Sequence, residues 1–176
     1  MEATVTSTAT TVFYAAFAPL SFTVLGLWFL IVQTRHKDWS TSPAHHRLAS
    51  AVSLQLALPG LMSLFSLVDP ESTDLWRTSF AVTALLGAAG LVGLGLGGWP
   101  DRRTSSVVEV GRACAAALFM LVAVVAIAPG TVHGVGLAAR PIQVEAFFLS
   151  LIVFLGMCVA WLLMFEEVRS PAPGGK

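Results

Sequence analysis

Five apolar runs, each close to or beyond the roughly 20 residues that carry a helix across ~30 Å of hydrocarbon, constrain this chain more than any other feature. They are Val12–Val32, Leu48–Val68, Trp76–Trp99, Val107–Ala128 and Ile142–Phe165. Lipid offers no partner to backbone N–H and C=O groups, so each run has to close its own hydrogen bonds as a helix. The expected fold class is therefore an all-α integral membrane protein, a bundle of five transmembrane helices. Charge content agrees, because only 11% of the residues are charged, against about 25% in a soluble domain. The chain divides into a short polar external N-terminus (1–11), one transmembrane domain (12–169) and a tail (170–176) whose Ser/Pro/Gly composition predicts disorder. Glu2 and the lack of a basic n-region argue against a cleaved signal peptide.

Orientation follows from the loop cations. One side receives Arg35, Lys37, Arg47, Arg102, Arg103, Arg112, Arg169 and Lys176, and the other only Arg77 and Arg140. The positive-inside rule then places the N-terminus outside and the C-terminus in the cytoplasm of a multi-pass cell-membrane protein. Tyr14 and Trp76 fall at the expected outer boundary, and Trp28, Trp99 and Trp161 toward the inner one. The fourth run is the weakest. Its strictly apolar part, Ala113–Ala128, covers only about 24 Å at 1.5 Å per residue, so Arg112 must snorkel or pair. Glu166 and Glu167 come at a similar depth and are its expected structural ion-pair partners.

The third run is glycine-rich. At 100° per residue, Ser79, Thr83, Gly87, Gly90, Gly93 and Gly97 share one broad face, and Ala89, Gly93 and Gly97 give small-xxx-small spacing. That face predicts close helix packing, with this helix inside the bundle and contacted from more than one side. The second run carries a polar stripe: Gln55, Pro59, Ser63 and Ser66, with Met62, fall within about 100° of one another. Pro59 removes the N–H that the Gln55 carbonyl would accept from. An amide, two hydroxyls and a freed carbonyl are what a water-filled path requires, and these four residues are the pore-lining candidates. The bland alternative is interhelical hydrogen bonding worth about 0.6 kcal/mol per group.

Other polar residues are peripheral. His133, Arg140 and Glu145 form a possible pH-sensitive external cluster, since histidine titrates near neutrality. His45, His46 and Arg47, helped by Arg35 and Lys37, resemble a lipid-headgroup contact. Without carboxylate or cysteine company these histidines do not make a metal site. Cys114 and Cys158 read as small buried hydrophobes, close enough in depth to be neighbours.

Several function classes are excluded. No histidine lies deep in a run, so a haem held by two imidazoles of this chain is ruled out. The chain has no voltage-sensing arginine series, no TVGYG filter and no G-x-S-x-G, H-E-x-x-H or P-loop. No enzyme activity and no cofactor are therefore expected, and the balance of ten acidic and ten basic residues gives no sign of nucleic-acid binding. What remains is a homo-oligomeric channel or facilitator for small ions or solutes. The alternative is a non-catalytic accessory or scaffold subunit of a larger membrane complex. The expected partners are the lipid bilayer and either further copies of the chain or other membrane subunits.

Overall fold

The computed structural model describes residues 2–39, 42–68, 73–96, 102–134 and 140–165. Five long helices account for most of them: α1 (Glu2–Thr34), α3 (Pro43–Val68), α4 (Thr73–Gly95), α5 (Arg102–Ile127) and α7 (Pro141–Met164). Two short helices, α2 (His36–Trp39) and α6 (Gly130–Gly134), sit in the connections. No strand occurs among the described residues. The five long helices contain segments of 22 to 27 residues that are long and apolar enough to span a membrane, the architecture of a multi-pass membrane protein.

Helix limits follow local chemistry. α3 and α7 open on Pro43 and Pro141, where a missing N–H costs nothing and φ is already helical. At α7 the Arg140 backbone N–H also donates to the Gln143 side chain at 3.1 Å. α1 begins at Glu2, well before the apolar run, so the polar N-terminal segment continues the helix. The tail 170–176 lies outside the described residues.

The long helices form a closed ring in the order α1, α3, α4, α5, α7, with α3 and α7 also touching across it. α3 contacts α1, α4 and α7 and is the central helix. α4 is gripped from two sides, by α3 and α5. At Gly87 an added Cβ would lie 2.9 Å from Leu58 Cδ1 and 3.0 Å from the Phe119 ring, and at Gly90 2.9 Å from Leu54 Cδ1. The glycine face is thus a contact face at Gly87, Gly90 and the buried Thr83, while Ser79 is half-buried and bonds its own helix at Trp76. The small-residue face does not continue as expected at Gly93, where a Cβ would meet no described atom within 4 Å. Gly97 lies outside the described residues.

Tyr14, Trp28, Leu56, Met62, Phe80, Leu91, Phe119, Leu149 and Ile152 fill the core. Trp28 is buried where a boundary anchor was expected: its indole N–H donates to the Ala49 carbonyl at 3.3 Å and its ring meets Trp39. Leu20, Leu27, Phe29, Phe147, Phe154 and Trp161 point outward, which in lipid is no liability.

Candidate functional site

The polar stripe of α3 faces the interior of the protomer. Gln55, Ser63 and Ser66 are 1%, 0% and 6% exposed, and Pro59 is buried with them. A pore lined by this stripe between copies of the chain would need it on the protomer's outer surface, so any route past these residues runs inside one bundle. The Ser63 hydroxyl donates to the Pro59 carbonyl and that of Ser66 to the Ser63 carbonyl, both at 2.8 Å. From α1, the buried Ser21 hydroxyl donates to the Leu56 carbonyl, one residue beyond the Gln55 carbonyl that Pro59 deprives of its donor. The Gln55 side chain lies against Gly156 of α7, where a Cβ would sit 3.1 Å from Gln55 Cβ. Its amide oxygen has no hydrogen-bond partner among the described residues.

Glu145 joins this stripe. Glu145 is fully buried rather than external as expected for a cluster with His133 and Arg140, and Arg140 is exposed. The side chain of His133 lies outside the described residues. The cause is helical phase. Glu145, Leu149, Ile152, Gly156, Val159 and Leu163, spaced by threes and fours, are the buried face of α7 together with Val153, so a helix that buries Leu149, Ile152 and Gly156 buries Glu145 with them.

Helix register places Glu145 among specific neighbours. α3 and α7 run antiparallel, with Gln55 against Gly156. Ser66 follows Gln55 by eleven residues and Glu145 precedes Gly156 by eleven; eleven residues are three turns and about 20°, so both return to the same face at the same level. Likewise Tyr14 precedes Ser21 by seven and Ser63 follows Leu56 by seven, about two turns on each helix. By this register Ser66 falls level with Glu145 and Ser63 with Tyr14, the two levels about one helical turn apart. The Tyr14 hydroxyl donates to the Ile142 carbonyl at 2.9 Å, and its ring meets Phe80 edge-on at 6.0 Å. Tyr14 and Arg77 are both close enough to Glu145 to interact with it electrostatically. Arg77, however, spends its hydrogen bonds on the Ala126 and Ile127 carbonyls at the end of α5, each 2.9 Å away. Both carboxylate oxygens of Glu145 remain without a hydrogen-bond partner among the described residues.

Tyr14 and Glu145 are thus buried rather than at the outer boundary and in solvent, and the buried Ser21 carries no signal in the sequence pattern. The available signal was the phase of Glu145 relative to Gly156: a carboxylate and a small residue three turns apart on one apolar face.

The opposite end of the bundle is held by other arginines. Arg112 was expected to pair with Glu166 or Glu167, which lie outside the described residues. Among the described residues its guanidinium donates to the Leu91 carbonyl of α4 at 2.7 Å, packs against Gly95 and lies 3.9 Å from Glu109. Gly95 provides the slot, since any side chain there would occupy the guanidinium's place. Arg35 reaches the Met164 carbonyl at 2.6 Å. His45 stacks on Trp39 at 5.5 Å, which joins part of the basic loop to the buried Trp28–Trp39 pair. Cys114 and Cys158 are exposed on the outer surface of the bundle rather than buried as expected. Among the described residues no three His, Cys, Asp or Glu side chains come together as a metal site would require. No protein-family model matches the chain, and comparison with curated proteins and with solved structures returns no match.

Proposed function

We propose that this protein is a cell-membrane facilitator for small ions or solutes whose route lies within the five-helix bundle, with the N-terminus outside and the C-terminus in the cytoplasm. One observation carries the reading. Four buried polar residues, Gln55, Ser63 and Ser66 on α3 and Glu145 on α7, align by helix register along the α3–α7 contact, and Gln55 and Glu145 retain unpartnered oxygens among the described residues. Buried polar atoms in a packed interior normally find partners, and ionisable groups inside membranes mark substrate or ion pathways. A passing solute or water supplies the missing partners. Self-association, if it occurs, then joins complete conducting units rather than assembling the route.

The test is flux into liposomes carrying the purified chain, followed by light scattering with glycerol, urea and potassium chloride as probes. Swelling above that of protein-free liposomes is expected, with loss on Ser63→Leu, which fills the route while leaving the outer surface unchanged. Swelling equal to that of empty liposomes for all three solutes overturns the proposal. A second reading, an accessory subunit, draws on a different observation. A groove of about 790 Å³ between α1, α3 and α4 is lined by small residues including Ala49, Ser53, Gly90 and Gly93, the kind of surface a further helix can approach closely. Co-purification of another membrane chain, together with absent flux, would favour it.

A further inference from the structure

From the enclosure of Glu145 by α1, α3, α5 and α7, we infer that its carboxyl group is a proton-binding site within the bundle, loading and releasing a proton as the interior route opens. The inference deepens the facilitator reading and rests on it for the coupling to transport, though the occupancy of the site can be measured without any flux. The carboxyl is fully buried and neither oxygen is bonded among the described residues. A carboxylate enclosed in this way needs its charge balanced by a proton, a bound metal cation or a fixed positive group.

The surroundings choose among these. From α1 the facing titratable group is the Tyr14 phenol, whose hydrogen is committed to Ile142. From α3 the hydroxyls of Ser63 and Ser66 face the site by register, and each donates to its own helix. On α5 the buried side chains leading up to Ala126, where Arg77 bonds, are apolar, among them Val122, Val125 and Ala126 itself. The nearby charge is Arg77 on α4, with its donors turned to the end of α5. That guanidinium repels a second cation, and one carboxylate with a few hydroxyls falls short of the six or more oxygens a calcium ion takes. A proton needs one oxygen and no additional space.

The test uses the wild-type full chain in liposomes and an apolar carbodiimide. The reagent takes the carboxyl proton while the carboxylate oxygen adds to its central carbon, and the adduct rearranges to a stable N-acylurea detectable by mass in the Glu145 peptide. Labelling is followed from about pH 5 to about pH 9, with the half-exposed Glu109 as reference. Expected is labelling of Glu145 well above Glu109, falling about tenfold per pH unit beyond its midpoint and unchanged by sodium, lithium or calcium chloride. Protection by any of those salts would instead identify a metal-cation site, and absence of labelling at every pH would mean a carboxylate held ionised by Arg77; either result overturns the inference. Solute flux measured in parallel separates the two readings. Labelling without flux leaves the proton site and removes the facilitator, whereas flux without labelling does the reverse. Glu145→Gln, which keeps the shape, is expected to abolish labelling and to make any flux independent of pH. Flux in that variant that still follows pH as in the wild type would overturn the coupling.

Discussion

Neighbouring glycines on α4 have opposite jobs. Gly87 lies between Leu58 and the ring of Phe119, whereas Gly93 opens onto the groove. Gly87→Leu is expected to destabilise the protein by about 1–3 kcal/mol through overpacking, while Gly93→Leu leaves stability nearly unchanged, as read by thermal unfolding in detergent. Equal losses would mean that a further chain covers the groove. The contrast also shows what single residues concealed in the sequence. Small-residue spacing marks a face but not where along it a neighbour stops. The same difficulty misplaced Cys114 and Cys158: lipid is as apolar as the core, so an apolar run does not show which of its faces points inward. A lipid-soluble thiol reagent is therefore expected to modify both cysteines, with a membrane-impermeant one modifying neither.

At the scale of helices, the last carbonyls are the weak points, because they have no partner within their own helix. Arginines from elsewhere in the chain meet this need at the ends of α5 and α7, where Arg77 serves Ala126 and Ile127 and Arg35 serves Met164, and Arg112 adds a bond to Leu91 near the end of α4. Positive charge at a helix C-terminus also complements its dipole. Arg77→Gln is expected to cost about 1.5–3 kcal/mol, the worth of hydrogen bonds to a charged group. Arg140→Gln at the exposed start of α7 should stay within about 0.5 kcal/mol. Comparable melting shifts for the two would show that Arg77 merely reaches solvent. The helices themselves were legible because length and apolarity alone define a span. α2 and α6 were not, since four or five residues carry no readable period, and Trp39 in α2 is placed by its contact with Trp28. The arginine contacts were equally hidden: they join residues far apart in the chain, and loop charge counts say nothing of direction.

For the molecule as a whole, five membrane crossings would put the two ends on opposite sides. Reporter fusions before Met1 and after Lys176 are expected outside and in the cytoplasm respectively, following the loop-cation count; reporters on the same side would remove one span. The ring of helices was legible only as a set of neighbours in sequence, whereas its closure depends on α7 meeting α1 and α3. That closure governs how the protein can be made. Synthesis proceeds from the N-terminus, and Arg35 waits for a carbonyl 129 residues further on, while Tyr14 waits for one 128 residues away. Until the last helix enters the membrane, four spans stand as a partial barrel with a polar seam open along α1 and α3, the sort of surface that quality-control proteases recognise. Chains terminated after Pro129 should consequently be short-lived in cells, and supplying residues 130–176 as a separate fragment should prolong their lifetime by closing the seam.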